Sequence, residues 1–273
     1  MLRVGTSGWQ YAHWRRRFYP PAVPLAGWLD HYASRFGTVE VNNTFYRLPD
    51  AVTFERWRAR TPPGFVFALK ASRFLTHVRR LRDPAGPVAL LLERARHLGD
   101  RLGPVLLQLP PDLRVAPDRL DETLAAFGGR VRVAVEPRHP SWWCDEVHAV
   151  LRAHGAALCL ADRGSRPVTP LWRTAGWAYV RFHHGTGSPT SCYGRRALAA
   201  WAQRLRDLYG PGADGYAYFN NDAGACALRD AIRFAHAAAR AGMRTSAVPA
   251  AAEVRVGQAG SSRTTSSGGL SVR

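Results

Sequence analysis

Lysine is almost missing from this chain: of 38 Lys and Arg residues, only Lys70 is lysine. A compositional pressure that replaced lysine elsewhere and spared position 70 points to a need there for a compact, titratable ammonium that a guanidinium cannot replace, although chance survival of one lysine would leave the same count. Acidic residues are scarce as well, 20 against 38 basic ones, which gives a formal charge of +18. Residues 245–273 hold three Arg and one Glu, so +16 of that charge lies in the rest of the chain. Such an excess attracts nucleic acid or phosphorylated and carboxylated small molecules over a range that salt shortens. Solvated arginines from a coding bias would give the same total, so net charge alone places no site.

Long apolar runs are also lacking. No stretch of eighteen apolar residues occurs, and MLRVGTSGW has no basic region followed by a long apolar one. Neither a membrane span nor a signal peptide is indicated, and a cytoplasmic protein with no membrane partner is expected. The four cysteines, Cys144, Cys159, Cys192 and Cys226, form no CxxC pair, which argues against a zinc knuckle or redox motif. They read as free, mostly packed thiols. No HxH, HExxH or GxSxG spacing appears, and GTSGWQY is not the Gly-rich phosphate loop that a doubly wound sheet would need after its first strand.

What the chain does have is 273 residues, 46% of them hydrophobic, enough for one large core. Eight short apolar runs, Leu2–Thr6, Thr38–Val41, Phe65–Leu69, Val105–Leu109, Val131–Val135, Ala157–Ala161, Ala178–Phe182 and Tyr216–Phe219, are apolar enough to be buried on both faces, as parallel strands are. Amphipathic segments lie between them: Leu25, Trp28, Leu29 and Tyr32; Leu120, Leu124 and Phe127; and Leu198, Trp201, Leu205 and Leu208, closed by Gly210. The pattern predicts an α/β fold, a single (β/α)8 TIM barrel over residues 1–243, with an irregular sixth connection between Arg163 and Gly176. Residues 244–273, rich in Ser, Thr, Gly and Ala, read as a disordered tail.

Such barrels build their sites where strands end at the C-terminal face. Thr6 and Ser7 end the first strand, Glu40 and Asn42 the second, Lys70 the third and Gln108 the fourth. Glu136 with Arg138 and His139 ends the fifth, Asp162 the sixth, Arg181 with His183 and His184 the seventh, and Asn220, Asn221 and Asp222 the eighth. One polar strand end is ordinarily a satisfied structural group. Eight convergent ones favour a site.

Together GTSGWQY, VEVNNTFYRLP, FALKASRFLTH, LGPVLLQLPP, VAVEPRHPSWW and YFNND resemble the YecE-like family, a domain of unknown function (number seventy-two), over essentially residues 1–240. The resemblance implies a TIM barrel and names no activity. It maps the family's recurrent polar positions onto the strand-end residues from Glu40 to Asp222 just given, His184 excepted. It also implies a likeness to metal-dependent endonuclease barrels, from which this chain departs in having few well-placed histidine and carboxylate ligands.

Three functional readings follow. In the first, a hydrolase or lyase acts by acid/base chemistry on an anionic, phosphorylated or carboxylated substrate. Lys70, Arg138 and Arg181 bind charge, Glu136 or Glu40 is the base and His183 the acid, while Asn42, Gln108, His139, Asp162, Asn220, Asn221 and Asp222 shape the pocket. In the second, a divalent metal held by Glu40, Glu136, Asp162, Asp222 and His183 cleaves phosphodiesters; no cofactor is obligatory from sequence. In the third, a non-catalytic nucleic-acid-binding protein uses Arg15, Arg16 and Arg17 among Trp9, Tyr11, Trp14, Phe18 and Tyr19, with Arg73, Arg79, Arg80 and Arg82 from the loop after the third strand. Those aromatics could equally pack over the barrel. Oligomeric state is not legible.

Overall fold

The structure is a computed structural model that describes residues 1–188 and 190–255. Its strands are β1 (Leu2–Ser7), β2 (Thr38–Val41), β3 (Val66–Lys70), β4 (Leu102–Gln108), β5 (Val133–Glu136), β6 (Ala157–Arg163), β7 (Arg166–Pro167), β8 (Ala178–His184) and β9 (Gly215–Phe219). Parallel pairings run from β1 through β6, then to β8, β9 and back to β1, so eight strands close a barrel. All eight apolar runs are strands, with ends shifted by at most three residues. The helices are α1 (Trp28–Ala33), α2 (Asn43–Tyr46), α3 (Ala51–Ala59), α4 (Ala85–Ala95), α5 (Pro117–Phe127), α6 (Asp145–Ala153), α7 (Arg195–Tyr209) and α8 (Cys226–Arg240). The sixth connection has no helix: β7 folds back antiparallel on β6, pairing Asp162 with Pro167. Among the described residues, no helix is long and apolar enough to cross a membrane.

Because side chains alternate across a strand, each strand faces the lumen with one set and the helices with the other. Outward, Val39, Val41, Phe67, Leu69, Val105, Leu107, Val135, Leu158, Leu160 and Phe182 join one continuous core with the helices. Inward, Val66, Ala68, Leu106, Ala134, Ala157, Cys159, Tyr179, Tyr216 and Tyr218 form a second cluster. Each fully buried large apolar side chain contributes roughly 1.5–3 kcal/mol. The tyrosines matter most for position. Tyr218 and Tyr179 plug the lumen, the former bonded to Thr38 Oγ1 at 2.7 Å and the latter to Glu40 Oε2 at 2.6 Å.

The segment 244–255, expected in the disordered tail, is packed. Leu2 N–H donates to Arg244 O at 2.8 Å, Ser246 N–H to Leu2 O at 2.9 Å, and Arg255 N–H to Arg17 O at 2.9 Å. The backbone groups at the start of β1 need partners, and this segment supplies them. The rest of the expected tail, 256–273, lies outside the described residues.

Two glycines give a test of the packing. A Cβ on Gly5 would run into the Thr38 carbonyl oxygen, whereas one on Gly86, in the first turn of α4, would meet nothing within 4 Å. Gly5→Ala should cost about 1–3 kcal/mol through overpacking, seen as a fall of several degrees in thermal midpoint. Gly86→Ala should stabilise by up to about 1 kcal/mol, because alanine has the higher helix propensity. Equal shifts in calorimetry would refute this reading.

Candidate functional site

Three barrel strands carry the charged residues that cross the lumen above the tyrosines. Arg181 on β8 is 2% exposed; its NH1 donates to Glu136 Oε2 at 2.6 Å and its NH2 to Glu40 Oε1 at 2.9 Å. Glu40 on β2 also accepts from Ser7 Oγ at 2.7 Å and from Tyr179 OH at 2.6 Å. Glu136 on β5 accepts from Gln108 Nε2 at 2.9 Å, and its Oε1 meets His183 Nε2 at 2.9 Å and Arg138 Nε at 3.4 Å. Strand register explains the convergence, since Ser7 is paired with Glu40 and Gln108 with Glu136. Parallel partners share a face.

Burial alone would raise the Glu136 carboxyl, but Arg181, His183 and Arg138 together hold it well below the ordinary carboxylate range. Glu136 is therefore an anion with both oxygens occupied. A carboxylate without a proton can only accept, so His183 Nε2 is the donor in their bond. Nε2 therefore carries a hydrogen, which in a neutral ring is the Nε2–H tautomer.

At the mouth, Lys70 ends β3 half-buried, its Nζ 3.9 Å from the centroid of Phe45. Burial lowers its pKa to about 8; Arg181 adds to the fall, and Glu40 and Glu136 only partly oppose it. The ring face offers the ammonium a cation–π contact. A cavity of about 340 Å³, whose lining does not include Lys70, is formed by Glu136, Arg138, His183, Trp143, Arg163 and Thr169, among others. An acid/base side chain and two guanidinium groups thus share one concavity.

Comparison with known proteins gives the family. The family model described as a protein of unknown function, DUF72, matches residues 3–253. The chain belongs to the DUF72 family. It is 25% identical over 261 residues to UPF0759 protein YunF of Bacillus subtilis (strain 168), covering 82% of this chain and 90% of that one. A DUF72 crystal structure from Thermotoga maritima MSB8 superposes with a TM-score of 0.75 at 26% identity, over 86% of this chain and 98% of that one. One from Enterococcus faecalis V583 superposes with a TM-score of 0.75 at 17% identity, over 88% and 96%. The latter likeness speaks to fold alone.

Several nominated residues of this DUF72 barrel are engaged outside the Arg181 network. Asp162 faces the helices, where it accepts from Tyr193 OH at 2.7 Å and Trp201 Nε1 at 2.6 Å; burial raises its pKa. Its neighbour Ala161 is in register with lumen-facing Arg181, so Asp162 must point outward. Asn221 likewise turns to the helix side, donating to Asp230 Oδ2 at 2.8 Å, and Asn220 is exposed. Asp222 accepts from Trp14 Nε1 at 2.7 Å and faces His13 Nε2 at 2.8 Å; burial pushes its pKa up to about 6 against the pull of His13. His139 caps a turn, its Nδ1 accepting from Ser141 N–H at 3.1 Å. Asn42 lines a separate crevice of about 90 Å³ with Ser7 and Tyr11.

Of the proposed metal ligands, Glu136 and His183 meet at 2.9 Å and Glu40 shares Arg181 with Glu136, whereas Asp162 and Asp222 are engaged elsewhere. Among the described residues, the metal-like cluster is Cys192, Cys226 and Asp230. The two cysteines are joined as a disulfide with Cα atoms 5.1 Å apart, which corrects the free-thiol expectation for this pair; Cys144 and Cys159 are free. The two lie 34 residues apart and meet only because the loop after β8 folds onto the start of α8.

The aromatic platforms of the first loop are also corrected. Trp9, Trp14, Phe18 and Tyr19 are buried, with Tyr19 stacked on Trp28 at 4.4 Å, so the loop packs over the barrel and leaves Arg15 and Arg16 in solvent and Arg17 half-buried. Arg79 and Arg80 are paired with Asp83 at 2.7 Å and Asp112 at 2.8 Å. Tyr179 and Arg163 were not singled out from sequence. Tyr179 could have been, since it lies two residues before Arg181 and shares its face.

The Glu136 network sets a pH signature. A carboxyl held below its unfolded pKa adds stability that is fully present above about pH 4.5 and is lost as pH falls through the folded value. Glu136→Gln removes that dependence and leaves Arg181 short of a counter-charge, at a cost of about 3–5 kcal/mol at pH 7. Urea titrations at pH 7 and pH 4 should show the variant's deficit shrinking in acid. A deficit independent of pH would count against an ionised Glu136.

Proposed function

We propose that this chain is an enzyme of the hydrolase or lyase type in which His183, oriented by ionised Glu136, moves a proton on an anionic substrate held at the barrel mouth by Lys70, Arg138 and Arg163. The observation that carries the reading is the 2.9 Å contact of His183 Nε2 with Glu136 Oε1 beside two guanidinium groups in one cavity. Glu136 serves as the orienting anion, not as the base: its oxygens are taken and its proton affinity is too low for general base work near neutrality. Glu40, bonded to Ser7, Tyr179 and Arg181, has the same structural character. Such a histidine can serve hydrolysis by activating water or elimination by removing a carbon-bound proton. The arginine forks suit phosphate or carboxylate groups.

Lys70 adds a regulated charge. With a pKa of about 8, it is mostly ammonium at pH 7 and mostly neutral amine at pH 9. If anion binding requires the ammonium, the competent fraction falls from about 0.9 to about 0.1, and the apparent dissociation constant rises about tenfold.

Sulfate, which does not titrate in this range, is the probe. Calorimetry should show sulfate binding weakening about tenfold between pH 7 and pH 9 in the parent, with no such step in Lys70→Arg. In a screen of phosphate esters and carboxylated substrates, His183→Gln should lower turnover by at least about 100-fold and change sulfate affinity less than threefold. Turnover that survives in His183→Gln, or sulfate binding indifferent to Lys70→Met, would defeat the assignment.

A further inference from the structure

A second cationic feature lies on the barrel wall. Along α8, Arg229, Arg233, His236 and Arg240 follow the spacing i, i+4, i+7, i+11, which places them on one face of the helix. They line a groove of about 560 Å³ with Arg195 at the start of α7, over an apolar floor that includes Leu198 and Ile232. Arg229 is held by Asp230, with NH2 to Oδ1 at 2.8 Å, and that carboxylate also accepts from Tyr193 N–H and Asn221 Nδ2. Among the described residues, no carboxylate pairs with Arg195, Arg233 or Arg240. Like charges are crowded here: Arg233 is lowered by burial and then by Arg229, with Arg195 adding and Asp230 opposing.

We infer that this face of α8, with the start of α7, binds the phosphodiester backbone of nucleic acid. The argument is geometric. Eleven residues of helix extend about 16 Å, and one strand of a duplex carries a phosphate about every 3.4 Å along its axis. A single small anion could reach only part of such a row, whereas a polyanion can meet all of it. The groove has no exposed Trp, Tyr or Phe on which bases could stack, so recognition should rest on the backbone and be indifferent to sequence. The +18 charge, with most arginines in solvent or at the surface, supplies long-range attraction. This surface is separate from the barrel mouth and does not depend on the chemistry proposed there.

The test is fluorescence anisotropy with labelled 20-base-pair duplex DNA of two unrelated sequences and a 20-nucleotide single-stranded RNA, across about 50 to 300 mM NaCl. The expected result is duplex binding that weakens linearly on a log–log plot, at a slope of about −0.9 per phosphate neutralised. The Arg233→Ala, Arg240→Ala pair should reduce the slope by about two, one for each cation, equally for both sequences and without loss of thermal stability. Lys70→Met should keep the parental slope, which separates this surface from the mouth. A parental slope in the double variant, no binding to either nucleic acid at 50 mM salt, or stronger RNA binding that ignores the α8 changes would each overturn the inference. So would binding of inorganic tripolyphosphate at this groove without duplex binding, which would make it a site for a discrete ligand.

Discussion

The buried guanidinium of Arg181 is the constraint on which the polar half of this barrel depends. It ties β8 to β2 through Glu40 and to β5 through Glu136, across the lumen and not around the wall. Three charges out of water would be costly if their hydrogen-bonding capacity were unmet. Here Ser7, Tyr179, Gln108 and His183 complete the carboxylates, while the buried Nε of Arg181 has no partner. The tyrosines below keep the layer at one height, so the residues one step further along each strand, Lys70 and His183, are lifted to the mouth. The chemistry above is thus set by packing below.

How much of this could be read from sequence depends on parity more than on strand position. The eight runs, the polar strand ends and the helix-free sixth connection were all visible because parallel strands buried on both faces leave continuous apolar stretches. Arg181 and His183 lie two apart and face the lumen together. Asp162 looked equivalent because it ends a strand, but it has the opposite parity and serves α7 instead. Asn221 fails in the same way, two residues beyond outward-facing Phe219. Asn220 and Asn42 have lumen parity but lie past the last ladder position, where parity no longer directs a side chain.

The aromatic loop after β1 shows a different limit. Trp, Tyr and Phe interleaved with arginine is a pattern that a stacking platform and a packed lid share, since both need large apolar rings beside charges that can stay in water. The difference is what lies underneath. In this chain α1 offers Trp28 and Tyr32, and the loop stacks inward on them. Local sequence carries no information about that partner until the barrel brings it near. The disulfide between Cys192 and Cys226 was hidden for the same reason, because loop closure over 34 residues leaves no local motif.

Arginine abundance, uninformative as a total, separates once each residue has a place. Arg181 is internal and neutralised, Arg79 and Arg80 are matched by nearby aspartates, and the α8 row has a single acid, Asp230, already shared among several donors. Any amphipathic surface helix would align its arginines at this spacing, so what sets the α8 row apart is that Arg195, Arg233 and Arg240 line one groove with no carboxylate paired to them among the described residues. Lys70 makes the complementary case. At the mouth, a group that changes charge near pH 8 can respond to conditions in a way guanidinium cannot. On the proposed function, a pressure that favours arginine for permanent charge would spare lysine at a position where the charge is conditional.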